Sequence, residues 1–261
     1  MPKTLEVTGA TLSYDEFGEG PETIVFVHGG GGNHLSWWNQ IPHFMDRYRC
    51  VTFSTRGFGF TLDHSNEGPS AYARDLGELM DGLGIERAVL VGQSLGGFTV
   101  LPFAARNPER AAGVLMADTV IGVGNEEILA ELQTQLATAR NALDDRGANI
   151  MVGPEYEQQS PDGLFLYNTI RALNPPLQVG STLSSTDGAA TNEEMANLSI
   201  PVVFLVGAED RLVPPPVVEQ ASKLLPNSRY VEVPRGGHSV YWELPNEFNA
   251  ILEDLLTAAY G

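Results

Sequence analysis

The sequence predicts an α/β fold built on a mostly parallel sheet, and three observations carry that prediction. Short apolar runs such as TIVFV (23–27), AVLV (88–91) and VVFLV (202–206) are nearly continuous rather than alternating. That pattern belongs to strands buried on both faces. Stretches with helical spacing of apolar residues lie between these runs, as in a chain that alternates strand and helix. The 28 glycines and 17 prolines supply sharp turns between short elements.

Strands are expected at 4–8, 11–17, 23–28, 49–54, 88–92, 113–118, 201–206 and 229–233. Residues 70–83 read as a helix with Leu76, Leu79, Met80 and Leu83 on one face. A second helix covers 95–107, stopped by Pro108, and Pro102 inside it should kink it. A third covers 244–257, with Phe248, Ile251, Leu252 and Leu255 facing inward. Residues 119–198 break the alternation and show no convincing strand. They open with an amphipathic helix, 126–146, whose apolar line is Ile128, Leu132, Leu136 and Leu143, started by Asn125 and ended by Gly147. A stretch rich in Gly, Pro, Ser and Asn follows (153–192), with a short helical piece near 163–173. The expected organisation is a core of 1–118 and 199–261 carrying a helical lid of 119–198.

The 261 residues suit one large domain. Acids number 33 against 15 lysines and arginines, a formal charge of −18. Such a surface repels phosphate backbones and anionic membranes, so neither nucleic acid nor membrane is an expected partner. The only cysteine, Cys50, lies in the apolar run CVTF and reads as core. The N-terminal MPKTLEVTGA has no apolar signal-peptide core. No apolar run approaches the roughly 20 residues of a membrane helix. A soluble cytoplasmic protein is expected.

The chemistry centres on Gly92-Gln93-Ser94-Leu95-Gly96, a G-x-S-x-G sequence with a strand running into it and a helix running out. A serine in that context sits on a strained elbow that lifts Oγ above the sheet. The bland alternative is a Gly-rich turn whose serine merely caps a helix. A nucleophilic serine needs a base, an orienting acid and an oxyanion hole. His238, in the Gly-rich loop after the last strand, is the candidate base. Asp210, after the run PVVFLV, is the candidate acid; Asp118 competes, and as a structural group it would cap the start of the lid. Glu209 should face away. Gly30 and Leu95 amides are the candidate oxyanion donors, in and opposite the run His28-Gly29-Gly30-Gly31-Gly32. His28 reads as structural. That run lacks the spacing of a dinucleotide or phosphate loop. No metal-ligand pattern is present, and no cofactor is expected.

The order Ser94, Asp210, His238, together with HGGGGN (28–33), RGFG (56–59), GQSLGG (92–97) and GGHSVYWELPNEFN (236–249), resembles the α/β-hydrolase superfamily over nearly the whole chain. The resemblance implies an eight-stranded, mostly parallel sheet with a helical cap after strand six. Within the superfamily the chain is similar to small bacterial esterases, enol-lactonases, cofactor-free haloperoxidases and carbon–carbon hydrolases. Ser94 argues against the aspartate-dependent dehalogenases and epoxide hydrolases. Gln93 and Ser239 depart from the Asn and Trp usual in meta-cleavage-product hydrolases, and Ser54 stands where the resemblance leads one to expect aspartate. Gly29, Trp37, Trp38, Phe58 and Phe60 are candidate pocket residues, or ordinary packing. Arg171 in the lid reads as a solvated surface arginine or as a partner for a substrate carboxylate. The expected activity is hydrolysis of a small, mostly apolar carboxylic ester or lactone through an acyl-enzyme. The alternative is carbon–carbon bond cleavage on the same triad.

Overall fold

The computed structural model describes residues 2–143, 150–175 and 187–261. Eight strands form the spine of the sheet: β1 (Lys3–Val7), β2 (Ala10–Phe17), β3 (Thr23–Val27), β4 (Arg49–Phe53), β5 (Ala88–Gln93), β6 (Ala111–Ala117), β7 (Val202–Gly207) and β8 (Ser228–Val233). Their spatial order is β1-β2-β4-β3-β5-β6-β7-β8. The pairs β1–β2 and β2–β4 are antiparallel, and every pair from β4 to β8 is parallel. A ninth strand of two residues, Leu62–Asp63, pairs with Ala10 and Thr11 of β2. Each run expected as a strand forms one. Leu62–Asp63 went unforeseen because two residues show no period.

The continuous apolar runs are buried throughout because helices cover both faces. Val25 and Val27 of β3 face one layer, which holds Leu76, Leu79 and Met80 of α2 (Tyr72–Gly82 in a chain where α1 is Gln40–Phe44) and Val100 and Leu101 of α3 (Gly97–Arg106). Ile24 and Phe26 of the same strand point the other way, onto Phe44 of α1 and the layer completed near the C-terminus. Cys50 belongs to that second layer, and burial pushes its thiol up to about 12, so it is inert as a nucleophile. The expected kink does not break α3, which runs unbroken from Gly97 through Pro102 to Arg106. A proline deletes one helical N–H, and here buried packing on both sides retains the helix.

Residues 119–198 contain helices α4 (Glu126–Leu143), α5 (Pro154–Gln159), α6 (Pro161–Arg171) and α7 (Asn192–Ala196). Asn125 Oδ1 accepts from the Ile128 N–H at 3.0 Å, the expected start of α4. Ile128 and Leu132 are buried on its inner face. Gly147 and the side chains of Leu136 and Leu143 lie outside the described residues. The stretch is not strand-free: Val123–Gly124 pairs in parallel with Ala190–Thr191. This short pair ties the beginning of the segment to its end. After it come β7, α8 (Pro215–Ser222), β8, α9 (Val240–Glu243) and α10 (Pro245–Tyr260). No described helix is long and apolar enough to cross a membrane.

Candidate active site

The loops that follow β3, β5, β7 and β8 meet at the C-terminal ends of the parallel strands, where open α/β sheets form their crevice. Ser94 leaves β5 with φ 49°, in the left-handed region. A non-glycine residue there costs on the order of 1–3 kcal/mol, held by its surroundings. The neighbouring glycines are what make the turn possible. A Cβ on Gly92 would lie 2.6 Å from Val100 Cγ2, and one on Gly96 would strike the Val27 carbonyl oxygen. The elbow is thereby pressed against β3, with α3 starting three residues beyond the serine.

The fold brings the three expected triad residues into one chain of hydrogen bonds. Ser94 Oγ lies 2.9 Å from His238 Nε2, and His238 Nδ1 lies 2.8 Å from Asp210 Oδ2. Asp210 is buried, and its second oxygen accepts from the N–H groups of Leu212 and Val213 at 2.8 and 2.9 Å. Both oxygens are therefore occupied, and the carboxylate cannot rotate off the imidazole without losing two bonds. Glu209 points to solvent, as expected.

Asp118 is not bonded to His238. It is fully buried at φ 52°, and its two oxygens accept from Gly207 N (3.1 Å) and Val240 N (3.2 Å). It braces the loops that carry Asp210 and His238 instead of capping the start of residues 119–198. The expected cap fails because the side chain turns toward β7 rather than toward residue 121. Burial, and then the neighbouring Asp210 charge, hold its carboxyl well above the usual range.

Two further polar residues hold the site, and neither was singled out from the sequence. Glu243 Oε2 accepts from Gly153 N (2.7 Å) and Gly237 N (3.1 Å), and its Oε1 accepts from Ser239 N (2.9 Å). Burial raises its carboxyl while these N–H groups pull it back. Asn174, just past α6, donates to Gly31 O at 2.6 Å and accepts from Gly59 N at 2.8 Å. Glu243 stands inside the quoted GGHSVYWELP motif, but its role depends on contacts with Gly153, 90 residues away.

The Gly run after β3 lies beside the elbow. A Cβ on Gly29 would meet Gln93 Oε1 and stand 3.0 Å from Ser94 Cβ, whereas one on Gly30 has no atom within 4 Å. His28 is structural, as expected: its Nδ1 bonds Gly29 O at 2.8 Å, and its Nε2 accepts from Thr55 N at 3.1 Å. Burial lowers it to about 4, so it is neutral at pH 7. Ser54 also finds a role, since its Oγ accepts from His34 N at 3.1 Å and meets His34 Nδ1 at 2.8 Å.

The candidate pocket residues separate. Phe58 belongs to a buried cluster with Tyr72, Leu95, Phe98, Ile121 and Ala189, so it sits next to the elbow. Trp37 does not face this region; it is packed in the core between Phe26 (5.0 Å) and Tyr241 (4.7 Å). Trp38 is 45% exposed and rests on Trp242. The 3-10 turn at His34–Trp37 sends successive side chains in different directions, which spacing alone did not reveal. Phe60 is on the surface. Among the described residues no group of three His, Cys, Asp or Glu side chains is placed to hold a metal ion.

Comparison with known proteins identifies the fold family. The chain is 28% identical to a 2-hydroxy-6-oxo-6-phenylhexa-2,4-dienoate hydrolase of Comamonas testosteroni, covering 94% of this chain and 91% of that one. It is 26% identical to 3-oxoadipate enol-lactonase 2 of Acinetobacter baylyi, over 97% and 96%. Its structure superposes on a thermophilic esterase of Thermogutta terrifontis with a TM-score of 0.77 at 23% identity, covering 98% and 99% of the two chains. The family model for the alpha/beta hydrolase fold matches residues 22–245, and the chain belongs to that family.

Proposed function

We propose that the protein is a serine hydrolase that cleaves a small, mostly apolar carboxylic ester or lactone through an acyl-enzyme. The observation that carries this reading is the Ser94–His238–Asp210 relay, with bonds of 2.9 and 2.8 Å. In the proposed mechanism Ser94 Oγ attacks the carbonyl carbon as His238 Nε2 takes its proton. Asp210 fixes the tautomer with Nδ1–H toward itself and stabilises the imidazolium. The Leu95 N–H is at the start of a 3-10 turn, where amides lack helical partners, and Gly30, in the run beside the elbow, has open space where a Cβ would stand. These two donors hold the oxyanion. His238 then protonates the leaving alkoxide and activates water for deacylation.

The cluster of Phe58, Leu95, Phe98, Ile121 and Ala189 supports an apolar substrate body. Ile121 and Ala189 come from the two ends of 119–198, which supports a cap role for that segment. Carbon–carbon cleavage remains the second reading, favoured by the Comamonas relative, whose named substrate contains no ester. The test is labelling with a fluorophosphonate probe followed by product analysis. Wild-type protein should be labelled and Ser94→Ala should not, with circular dichroism unchanged. Products should be an acid and an alcohol from an ester, or one hydroxy acid from a lactone. A labelled Ser94→Ala protein sinks the nucleophile assignment, and a broken carbon–carbon bond assigns the second reading.

A further inference from the structure

Arg171 is held against Tyr167 but has no anionic partner among the described residues. It ends α6 and is half-buried. Its guanidinium rests on the Gly run after β3: a Cβ on Gly31 would stand 3.3 Å from Cζ and 3.4 Å from Nε. On its other side Cζ lies 5.5 Å from the centre of the Tyr167 ring. The Tyr167 hydroxyl is 3.2 Å from Ser239 Oγ, next to His238 in the chain. The guanidinium therefore stands between the loop that carries Gly30 and the loop that carries His238. Gly31 is two residues from Gly29, at most about 7–8 Å of chain, and the Cβ position of Gly29 is 3.0 Å from Ser94 Cβ.

What the guanidinium lacks is an anion. Among the described residues no carboxylate lies within 4.0 Å of it, whereas Arg47, Arg49, Arg56, Arg74, Arg106, Arg110, Arg229 and Arg235 each have one. This holds in a chain with 33 acids to 15 lysines and arginines. Residues 172–186, which follow it, contain no acid at all. Its position in the last turn of α6 suits a cation, because the helix C-terminus is partially negative. That accounts for a positive charge on the helix but not for a head turned onto Gly31. The glycine matters here, since a side chain there would occupy the space against the guanidinium. An arginine fork presents paired donors that match a carboxylate in one plane.

We infer that Arg171 is a specificity residue that receives an anionic group, a carboxylate, on the acyl side of the substrate. The inference rests on the serine hydrolase reading and deepens it. The substrate is then an apolar acyl chain with the scissile carbonyl at Ser94 and a carboxylate a few carbons away at Arg171. Half-esters of short dicarboxylic acids, and lactones bearing a carboxylate, have that form. The overall acidity sharpens the choice: most of this surface repels an anion, and here it gains a charge-assisted pair.

The experiment compares p-nitrophenyl butyrate with mono-p-nitrophenyl glutarate in wild type, Arg171→Met and Arg171→Lys, with folding checked by circular dichroism. The quantity read is the ratio of kcat/KM for the anionic ester over the neutral one. Arg171→Met should lower that ratio at least about tenfold, chiefly through KM for the glutarate ester, as expected for loss of one charged hydrogen-bonding partner. Arg171→Lys should recover part of it, since the charge returns without the planar fork. A ratio unchanged in Arg171→Met overturns the inference, as does an equal loss on both esters. Binding of monomethyl glutarate to Ser94→Ala protein, by calorimetry, gives a reading independent of turnover. Binding should weaken at least about tenfold when Arg171→Met is added, and equal binding overturns the inference. The hydrolase reading fails separately, if the neutral ester is not turned over through Ser94.

Discussion

Two buried aspartates stand near His238, and hydrogen bonding tells them apart more sharply than position does. Asp210 bonds the imidazole at 2.8 Å, while Asp118 spends both oxygens on backbone N–H groups of the flanking loops. Asp210→Asn keeps the shape but removes the charge and the control of tautomer. In another serine hydrolase that change lowers turnover about ten-thousand-fold, and a loss of the same order is expected here. Asp118→Asn is expected to cost no more than about tenfold in kcat, since an altered polar contact is worth about 1 kcal/mol. Both Asp118 oxygens accept from buried N–H groups, so the NH₂ of the amide would face one of them, and the main cost, about 1–3 kcal/mol, falls on stability rather than on the proton relay. The measurement is kcat of both variants on one ester, and a crippled Asp118→Asn beside an active Asp210→Asn reverses the assignment. At this scale the sequence was informative wherever a residue's role follows from its local turn. Ser94, Asp210 and His238 each lie in the turn or loop that follows a strand, and Gly92 and Gly96 each relieve a named clash. Trp37 and Trp38 were not legible, because adjacent aromatic residues can point to the core and to solvent where a 3-10 turn ends.

The elements that carry the triad are tied together by side chains from distant segments. Glu243, in α9, accepts N–H groups on both sides of His238 and one from Gly153, ahead of α5. It thus joins the histidine loop to the chain around Gly153. Glu243→Gln replaces an acceptor oxygen by an NH₂ that faces buried donors. Leaving one such donor unsatisfied costs about 1–3 kcal/mol, so the thermal midpoint should fall. The loop would also lose its hold on the imidazole, so kcat should fall at least about tenfold with little change in KM. A lower midpoint with wild-type kcat would limit Glu243 to holding the fold. Such ties could not be derived from the sequence, since no motif or local turn pairs Glu243 with Gly153. The buried strands were legible as continuous apolar runs, and the long helices because one buried face imposes a period on them. Four-residue α9 and the pair Val123–Gly124 with Ala190–Thr191 are too short to show one.

Across the whole molecule the charge balance is the property that no single contact explains. Ion pairs such as Arg47–Glu253 and Arg229–Asp254 are exposed, and each is worth at most about 1 kcal/mol. They use only a part of the 33 acids, so the formal charge of −18 is spread as repulsion over the surface. The sequence alone disclosed this excess, and the fold shows why it is tolerated. The two apolar layers are continuous on both faces of the sheet, and Arg56 is buried against Asp75 at 2.7 Å, out of reach of solvent ions. Added salt acts on attraction and repulsion unequally. Pairs in contact at 2.6–3.2 Å are screened less than like charges farther apart than the Debye length, which falls from about 30 Å at 0.01 M to about 10 Å at 0.1 M. Relief of repulsion should therefore win. The thermal midpoint at pH 7 should rise by a few degrees between about 10 and 300 mM NaCl and then level off, a change equivalent to about 1 kcal/mol for a domain near this size. At about pH 5, where carboxylates begin to protonate and the net charge shrinks, the same salt step should move the midpoint less. The measurement is a salt titration of the midpoint at both pH values. A midpoint that is flat or falls with NaCl at pH 7 means that the surface ion pairs outweigh the excess charge.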